Sequence, residues 1–286
     1  MSIASNVLRR AFRAATSLQS FMLDELGAAK VDAKKMAAAF DRLVNRSALD
    51  QRERRRRTFQ SIYNRGVWGK DETTRFFSGV GSNPAAAEFY VGQMAALLER
   101  HAKELGRPLT IVDLGCGDFR IGKALVERLP ALTYIGCDIV PELIAYNAAR
   151  YTSARVRFQT LDAVCDPLPE GDVCLVRQVF QHLTNNDILS VLTHMPYPCA
   201  YVSEGQPVRR IGPVNPDKVV GASVRFDWRT GRGRGVELNQ PPFDLPSQEV
   251  FRFSLPPNEV IITERLDLTS GALAKGLANK ASAVSR

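Results

Sequence analysis

The sequence predicts an α/β domain with a doubly wound, mostly parallel sheet of seven strands, preceded by a helical N-terminal cap. Three observations carry that prediction. From Leu109 onward, short apolar runs alternate with segments of helical periodicity, the pattern of a sheet covered by helices on both faces. Three acidic residues, Asp113, Asp138 and Asp162, stand at the ends of three successive strand candidates. Ahead of them, apolar positions recur at spacings of three and four, as on one face of an amphipathic helix.

The first helix is marked by Ile3, Val7, Ala11, Ala14, Leu18 and Phe21, and a second covers Ala33 to Leu43. Gln51 to Arg57 holds five arginines and one glutamate, followed by Phe59, Ile62, Tyr63, Val67 and Trp68 with interleaved glycines. Ser78-Gly79-Val80-Gly81-Ser82-Asn83-Pro84 is loop chemistry, and helical periodicity resumes from Ala85 to Leu105. Strands are expected at Leu109–Leu114, Tyr134–Cys137, Val156–Leu161, Val173–Val176, Ala200–Ser203, Val250–Phe253 and Val260–Leu268. An antiparallel strand is expected at the C-terminal edge. The intervening helices fall at Ile121–Leu129, Pro141–Arg150 and Asn186–Met195. Residues 1–105 thus form the cap and a covering segment, 106–270 the core and 271–286 a tail. Within the core, 205–246 is rich in Gly, Pro and Arg, and so long an insertion after a strand suits a lid.

A chain of 286 residues with 45% hydrophobic content can bury a sizeable core, which excludes disorder throughout. Its net charge of +8 is uneven: the first 75 residues hold sixteen basic and eight acidic side chains, and the remainder is balanced. That distribution describes a basic appendage, not a surface made for nucleic acid. Cys116, Cys137, Cys165, Cys174 and Cys199 form no close pairs, which points to reduced, buried thiols in the cytoplasm. No apolar run approaches the roughly 20 residues that cross a bilayer. Arg9, Arg10 and Arg13 stand where a signal peptide needs an apolar stretch. No Cys and His have zinc-ligand spacing, so no metal is expected.

The chemistry concentrates in Ile111-Val112-Asp113-Leu114-Gly115-Cys116-Gly117-Asp118. Glycines at the carboxyl end of a strand let the backbone approach a ligand, where open sheets bind theirs. Asp138, closing Tyr134-Ile135-Gly136-Cys137-Asp138, is placed to accept two hydrogen bonds from a ribose diol. Asp162 is placed to meet the exocyclic amine of an adenine. A dinucleotide site would want a third glycine, where this chain has Phe119 and Arg120.

This constellation resembles the class I S-adenosylmethionine-dependent methyltransferases over about Leu109 to Glu204. The resemblance implies a Rossmann-like methyltransferase fold with S-adenosylmethionine as cofactor. Asp113, Gly115 and Gly117 would hold its methionine end, Asp138 with Ile139 the ribose, and Asp162 with Ala163 the adenine. A narrower resemblance, to a poorly characterised group of bacterial-type methyltransferases, rests on Ile62-Tyr63-Asn64-Arg65-Gly66-Val67-Trp68-Gly69, Ser78-Gly79-Val80-Gly81-Ser82, Phe226-Asp227-Trp228-Arg229 and Pro242-Phe243-Asp244-Leu245-Pro246. It implies a small-molecule or glycan acceptor. It also assigns Trp68, Arg75, Arg177 and Gln178 to the cofactor, with Trp68 and Arg75 closing over it. The group tends to carry an acid after the arginine of the fourth strand. Here that position is Gln178, whose amide cannot accept a proton near neutral pH.

For a hydroxyl acceptor the base should lie just beyond the fourth strand, where His182 falls. Trp228, Arg229 and Asn239 in the lid are candidates for binding the acceptor, a saccharide or secondary metabolite. Two other functions compete: nucleic-acid methylation through the arginine run, and a non-catalytic methyltransferase-like binding subunit. The N-terminal helices offer a surface for a homodimer.

Overall fold

The computed structural model describes residues 50–72, 74–82 and 84–269. The helices expected near 3–21 and 33–43, the dimer surface assigned to them and the tail at 271–286 lie outside the described residues. The chain divides into two compact units, Met1–Gln51 and Arg52–Arg286. Every element below belongs to the second.

Of the helix at 50–65, residues 52–65 belong to this unit and form α1, and α2 spans Pro84–Leu105. The core then alternates β1 (Thr110–Leu114), α3 (Arg120–Arg128), β2 (Thr133–Asp138), α4 (Pro141–Tyr151), β3 (Val156–Thr160) and β4 (Val173–Arg177). It continues through α5 (Asn185–His194) and β5 (Cys199–Pro207). A short ribbon, β6 (Phe226–Asp227) and β7 (Arg232–Gly233), lies in the lid, and the hairpin β8 (Ser247–Leu255) and β9 (Glu259–Asp267) closes the domain. Local chemistry sets these boundaries. Pro141 opens α4, where its missing N–H costs nothing. Thr184 and Asp187 cap α5 reciprocally, each side chain taking the other's backbone N–H.

The seven strands run in the order β3-β2-β1-β4-β5-β9-β8. β1 to β5 are parallel, and β9 is antiparallel to both β5 and β8. The reversed strand is therefore not at the edge, as expected, but one place in. The hairpin returns β9 along the full length of β5 and leaves β8 outermost. That pairing also carries β5 to Pro207, four residues beyond the expected end, so the lid begins later than residue 205.

The period of two along each strand divides the core. Val112, Leu114, Ile135 and Val176 pack with Ile188 and Leu192 of α5 on one face. Ile111, Tyr134 and Leu175 pack with Met94 and Leu98 of α2 and Leu125 of α3 on the other. Val236, Leu238, Phe243 and Leu245 of the lid join the first face. The lid is thus part of the fold and not a solvated loop. Asn215 ties its two ends, donating to the Glu237 and Pro241 carbonyls at 2.8 Å each. No helix of the described residues is long and apolar enough to cross a membrane.

Candidate active site

β1 and β4 are central strands on either side of the point where strand order reverses, and a crevice opens outside their carboxyl ends. Both motif glycines there have left-handed backbones, Gly115 at φ 76° and Gly117 at φ 55°. A side chain at Gly115 would collide with Val179, and one at Gly117 with Ser78. The turn is held against β2 by Gly115 and Cys116 N–H donating to the Cys137 carbonyl, at 2.8 and 2.9 Å.

The three expected carboxylates converge on this turn. Asp113 accepts from the Tyr134 hydroxyl at 2.6 Å, and burial raises its pKa to about 6. Asp138 accepts from Gly117 N–H at 3.2 Å and Val140 N–H at 3.1 Å, and burial again raises its pKa to about 6. Asp162 accepts from Val164 N–H at 3.0 Å and from Arg55 at 2.8 Å. Sequence reasoning missed Arg55, which it treated only as one member of the arginine run at 52–57. It is the member of that run that points inward, and it lines the cavity.

The cavity has a volume of about 610 Å³. It brings together Trp68, Asp113, Gly115, Gly117, Asp138, Ile139, Asp162, Ala163, Arg177, Gln178, His182 and Trp228. Three expected residues stand outside its lining. Arg75 is exposed, its guanidinium over the Phe76 ring. Arg229 is exposed and lies over the Trp228 ring, and Asn239 is exposed. Beside them, Phe76 and Leu238 are buried, and Trp228, half-exposed, lines the mouth of the cavity.

A covering segment roofs the turn. Ser78 N–H and the Ser82 hydroxyl donate to Asp118 Oδ2 at 3.0 and 3.3 Å, and Asp118 N–H donates to Ser78 Oγ at 2.8 Å. Trp68 stands edge-on to Tyr63, lies against the His182 ring at 5.0 Å and donates to the Ala222 carbonyl of the lid at 3.3 Å. β4 is followed by Gln178, which takes a left-handed φ of 54°, uncommon for a residue with a side chain and typical of functional turns. The bend swings Val179 onto Gly115 and the Gln178 amide onto Gly81.

His182 lines the cavity but is poorly suited to be the base. Burial depresses its pKa to about 4, and its Nδ1 faces the Gly221 carbonyl at 3.2 Å. A carbonyl only accepts, so Nδ1 carries the proton, and Nε2 faces the Gln181 amide nitrogen at 3.4 Å. Arg225 of the lid donates to the carbonyls of Leu183 and Pro216 at 2.6 Å each. Four of the five free cysteines are buried, and Cys165 is exposed. Among the described residues no group of three or more His, Cys, Asp or Glu could hold a metal ion.

Residues 111–196 match the family model described as a methyltransferase domain. They hold the glycine turn and β2 to β4 of a sheet with the Rossmann-like methyltransferase fold. No curated protein matches the sequence. Among solved structures, the chain is similar to 1,6-didemethyltoxoflavin-N1-methyltransferase of Burkholderia thailandensis. The identity is 19% and the TM-score 0.44, over 84% of this chain and 93% of that one. The N-terminal domain of EvdMO1, solved in the presence of S-adenosylhomocysteine and D-fucose, is 15% identical with a TM-score of 0.44, over 76% and 97%. The mitomycin 7-O-methyltransferase MmcR is 16% identical with a TM-score of 0.42, over 65% and 58%.

Proposed function

We propose that the class I methyltransferase domain built on residues 111–196 transfers a methyl group from S-adenosylmethionine to a hydroxyl of a small acceptor, a saccharide or secondary metabolite. The observation that carries this is one cavity into which Asp113, Asp138 and Asp162 open beside two left-handed glycines, and which continues past them to Trp228.

The donor set fits a nucleoside with a charged amino-acid arm. Each oxygen of the Asp138 carboxylate accepts one backbone N–H, so each retains a lone pair for one hydroxyl of a ribose diol. Asp162 is likewise half-used by Arg55 and Val164, leaving lone pairs for an adenine amine beside Ala163. Asp113, with Arg177 nearby, suits the ammonium and carboxylate of the methionine arm. Gly115 and Gly117 leave open the space that a side chain would fill. The bound cofactor supplies an electrophilic methyl group on a sulfonium. What remains for the protein is alignment, exclusion of water and removal of the acceptor's proton.

Trp68 and the Ser78–Ser82 roof exclude water, and His182 supplies a neutral ring that supports Trp68. Trp228, half-exposed at the mouth, offers an aromatic face to the acceptor. Arg229 and Asn239 are not needed for this arrangement. The four buried thiols fit a reducing compartment, and we place the reaction in the cytoplasm. The arginine run does not favour nucleic acid: Arg55 is buried, and Arg56 and Arg57 both bond Glu53.

Calorimetric titration with S-adenosylmethionine and S-adenosylhomocysteine, beside Asp138→Ala, tests the nucleoside site. Micromolar binding that is lost in the variant is expected. It would be followed by transfer of a labelled methyl group to a panel of glycosides and phenols. An intact protein that binds neither ligand overturns the proposal.

A further inference from the structure

We infer that Glu259, seconded by Gln181, is the group that receives the acceptor's proton. The assignment rests on the methyltransferase reading above and names the base of that same site.

Glu259 is the first residue of β9, opposite Pro207 of β5, and lines the cavity. Its carboxylate leans over Gly205. A methyl group built there would strike a Glu259 oxygen and stand 3.1 Å from Gln181 Oε1. Gly205 therefore leaves open a space that two side-chain oxygens from different elements border. Neither is spent. Gln181 Oε1 is buried with no hydrogen-bond partner, and so is Arg177 Nε at the end of β4. Among the described residues the Glu259 carboxylate makes no side-chain hydrogen bond, whereas the cavity's other carboxylates each accept at least one. Buried polar atoms without partners are rare in folded proteins and mark places where a ligand completes the set.

The position is right for the acceptor side. Val179 presses on Gly115, at the expected methionine end of the cofactor, and Gln181 follows two residues later. Burial raises the Glu259 pKa to about 7, with Arg177 drawing it back, which suits a base working near neutrality. Glu204 is more deeply buried, but it is committed to the turn after β4, accepting from Val179, Phe180 and Gln181 N–H at 3.0, 2.8 and 3.1 Å.

The step balances without a further reactant. The acceptor's hydroxyl proton moves to a Glu259 oxygen as the hydroxyl oxygen bonds the methyl carbon. The carbon–sulfur bond breaks and its electron pair stays on sulfur. Glu259, now a neutral acid, donates to Gln181 Oε1 until it returns the proton to solvent.

Sinefungin is the probe: it carries an ammonium group where the cofactor carries its methyl, and S-adenosylhomocysteine carries nothing there. Both are titrated calorimetrically into the intact protein, Glu259→Gln and Glu259→Asp, above the Glu259 pKa of about 7. The intact protein is expected to prefer sinefungin by about tenfold or more, as an ion pair of this kind requires. Glu259→Gln should erase that preference with S-adenosylhomocysteine affinity changed less than about twofold, and Glu259→Asp should restore part of it. Unchanged preference in Glu259→Gln overturns the assignment, as does equal weakening of both ligands. Should Glu259→Gln fail to fold, Gln181→Leu must weaken sinefungin and spare S-adenosylhomocysteine, and equal binding of the two overturns the assignment. Binding of S-adenosylhomocysteine without a sinefungin preference removes Glu259 alone. Failure of the intact protein to bind either ligand removes the methyltransferase reading and Glu259 with it.

Discussion

Arg55 donates its Nε to Asp162 Oδ2 at 2.8 Å, inside the protein, and reaches Asp187 at the start of α5 with Nη1 at 3.1 Å. One guanidinium thereby fastens α1 to the loop after β3 and to the cap of α5. Removing it would leave two carboxylates buried without their counter-charge. One-sided loss of a buried pair costs about 3 to 5 kcal/mol, or roughly 10 °C in melting temperature for a domain of this size. Arg55→Ala is expected to show that loss by scanning calorimetry. Arg54→Ala, at an exposed position one residue earlier, should melt within about 1 to 2 °C of the parent. Equal melting of the two variants would contradict the tie.

A second expectation concerns pH. Burial raises Asp113 and Asp138 to about 6, and Glu204 and Glu259 to about 7. Each acid holds its proton more tightly folded than unfolded. The folded state therefore binds more protons between about pH 4 and 7, and stability falls as pH rises through that window. For Asp138 the penalty is roughly 3 kcal/mol. The ligand-free protein should melt higher near pH 5 than near pH 7.5, and Asp138→Asn should narrow that difference while losing S-adenosylhomocysteine. Binding should run the other way, weakening below about pH 6 as Asp138 loses the charge that accepts the ribose hydroxyls. A flat melting profile across the window would refute the burial of these ionisations.

The strands, the core helices and the acidic and glycine residues of the cavity were legible because each is written locally. A strand ends in an acid, a glycine follows, and the period changes. Asp113, Gly115, Gly117, Asp138 and Asp162 sit within a few residues of their own strand ends. Arg55 and Glu259 were not legible for the opposite reason. One is separated from Asp162 by more than a hundred residues, and the other enters the site only because β9 returns along β5. The same long-range pairing placed the reversed strand inside the sheet edge. Arg75 and Arg229 turn to solvent beside an aromatic neighbour, Phe76 buried and Trp228 half-exposed at the cavity mouth, and sequence adjacency does not say which of two neighbours turns away.

The glycine turn gives a third expectation. Gly117→Ala places a side chain at a left-handed backbone position and drives it into Ser78. Strain of that kind costs on the order of 1 to 2 kcal/mol before any rearrangement, and the collision displaces the roof as well. Cofactor affinity should fall more than about tenfold while the fold survives, measured by calorimetry and circular dichroism. Arg75→Ala, outside the cavity, should bind like the parent. If Arg75→Ala were instead the more damaging change, the boundary of the cavity would be wrong.

Asp118 gives the last. Its carboxylate accepts from Ser78 N–H, the Ser82 hydroxyl and Arg120 N–H, so it joins the roof at 78–82 to the first turn of α3. Asp118→Ala removes every one of those acceptors and buries no new group. Each net hydrogen bond is worth about 1 kcal/mol, so the roof should open locally about ten- to a hundredfold more often while the sheet beneath it is unaffected. Hydrogen exchange is the measurement: amides of 78–82 should exchange faster, and those of β1 and β4 should not. The same variant should weaken cofactor binding, because the roof must close over a ligand that can no longer count on a preformed cover. Uniformly faster exchange across the sheet would mean that Asp118 supports the whole domain and not its roof.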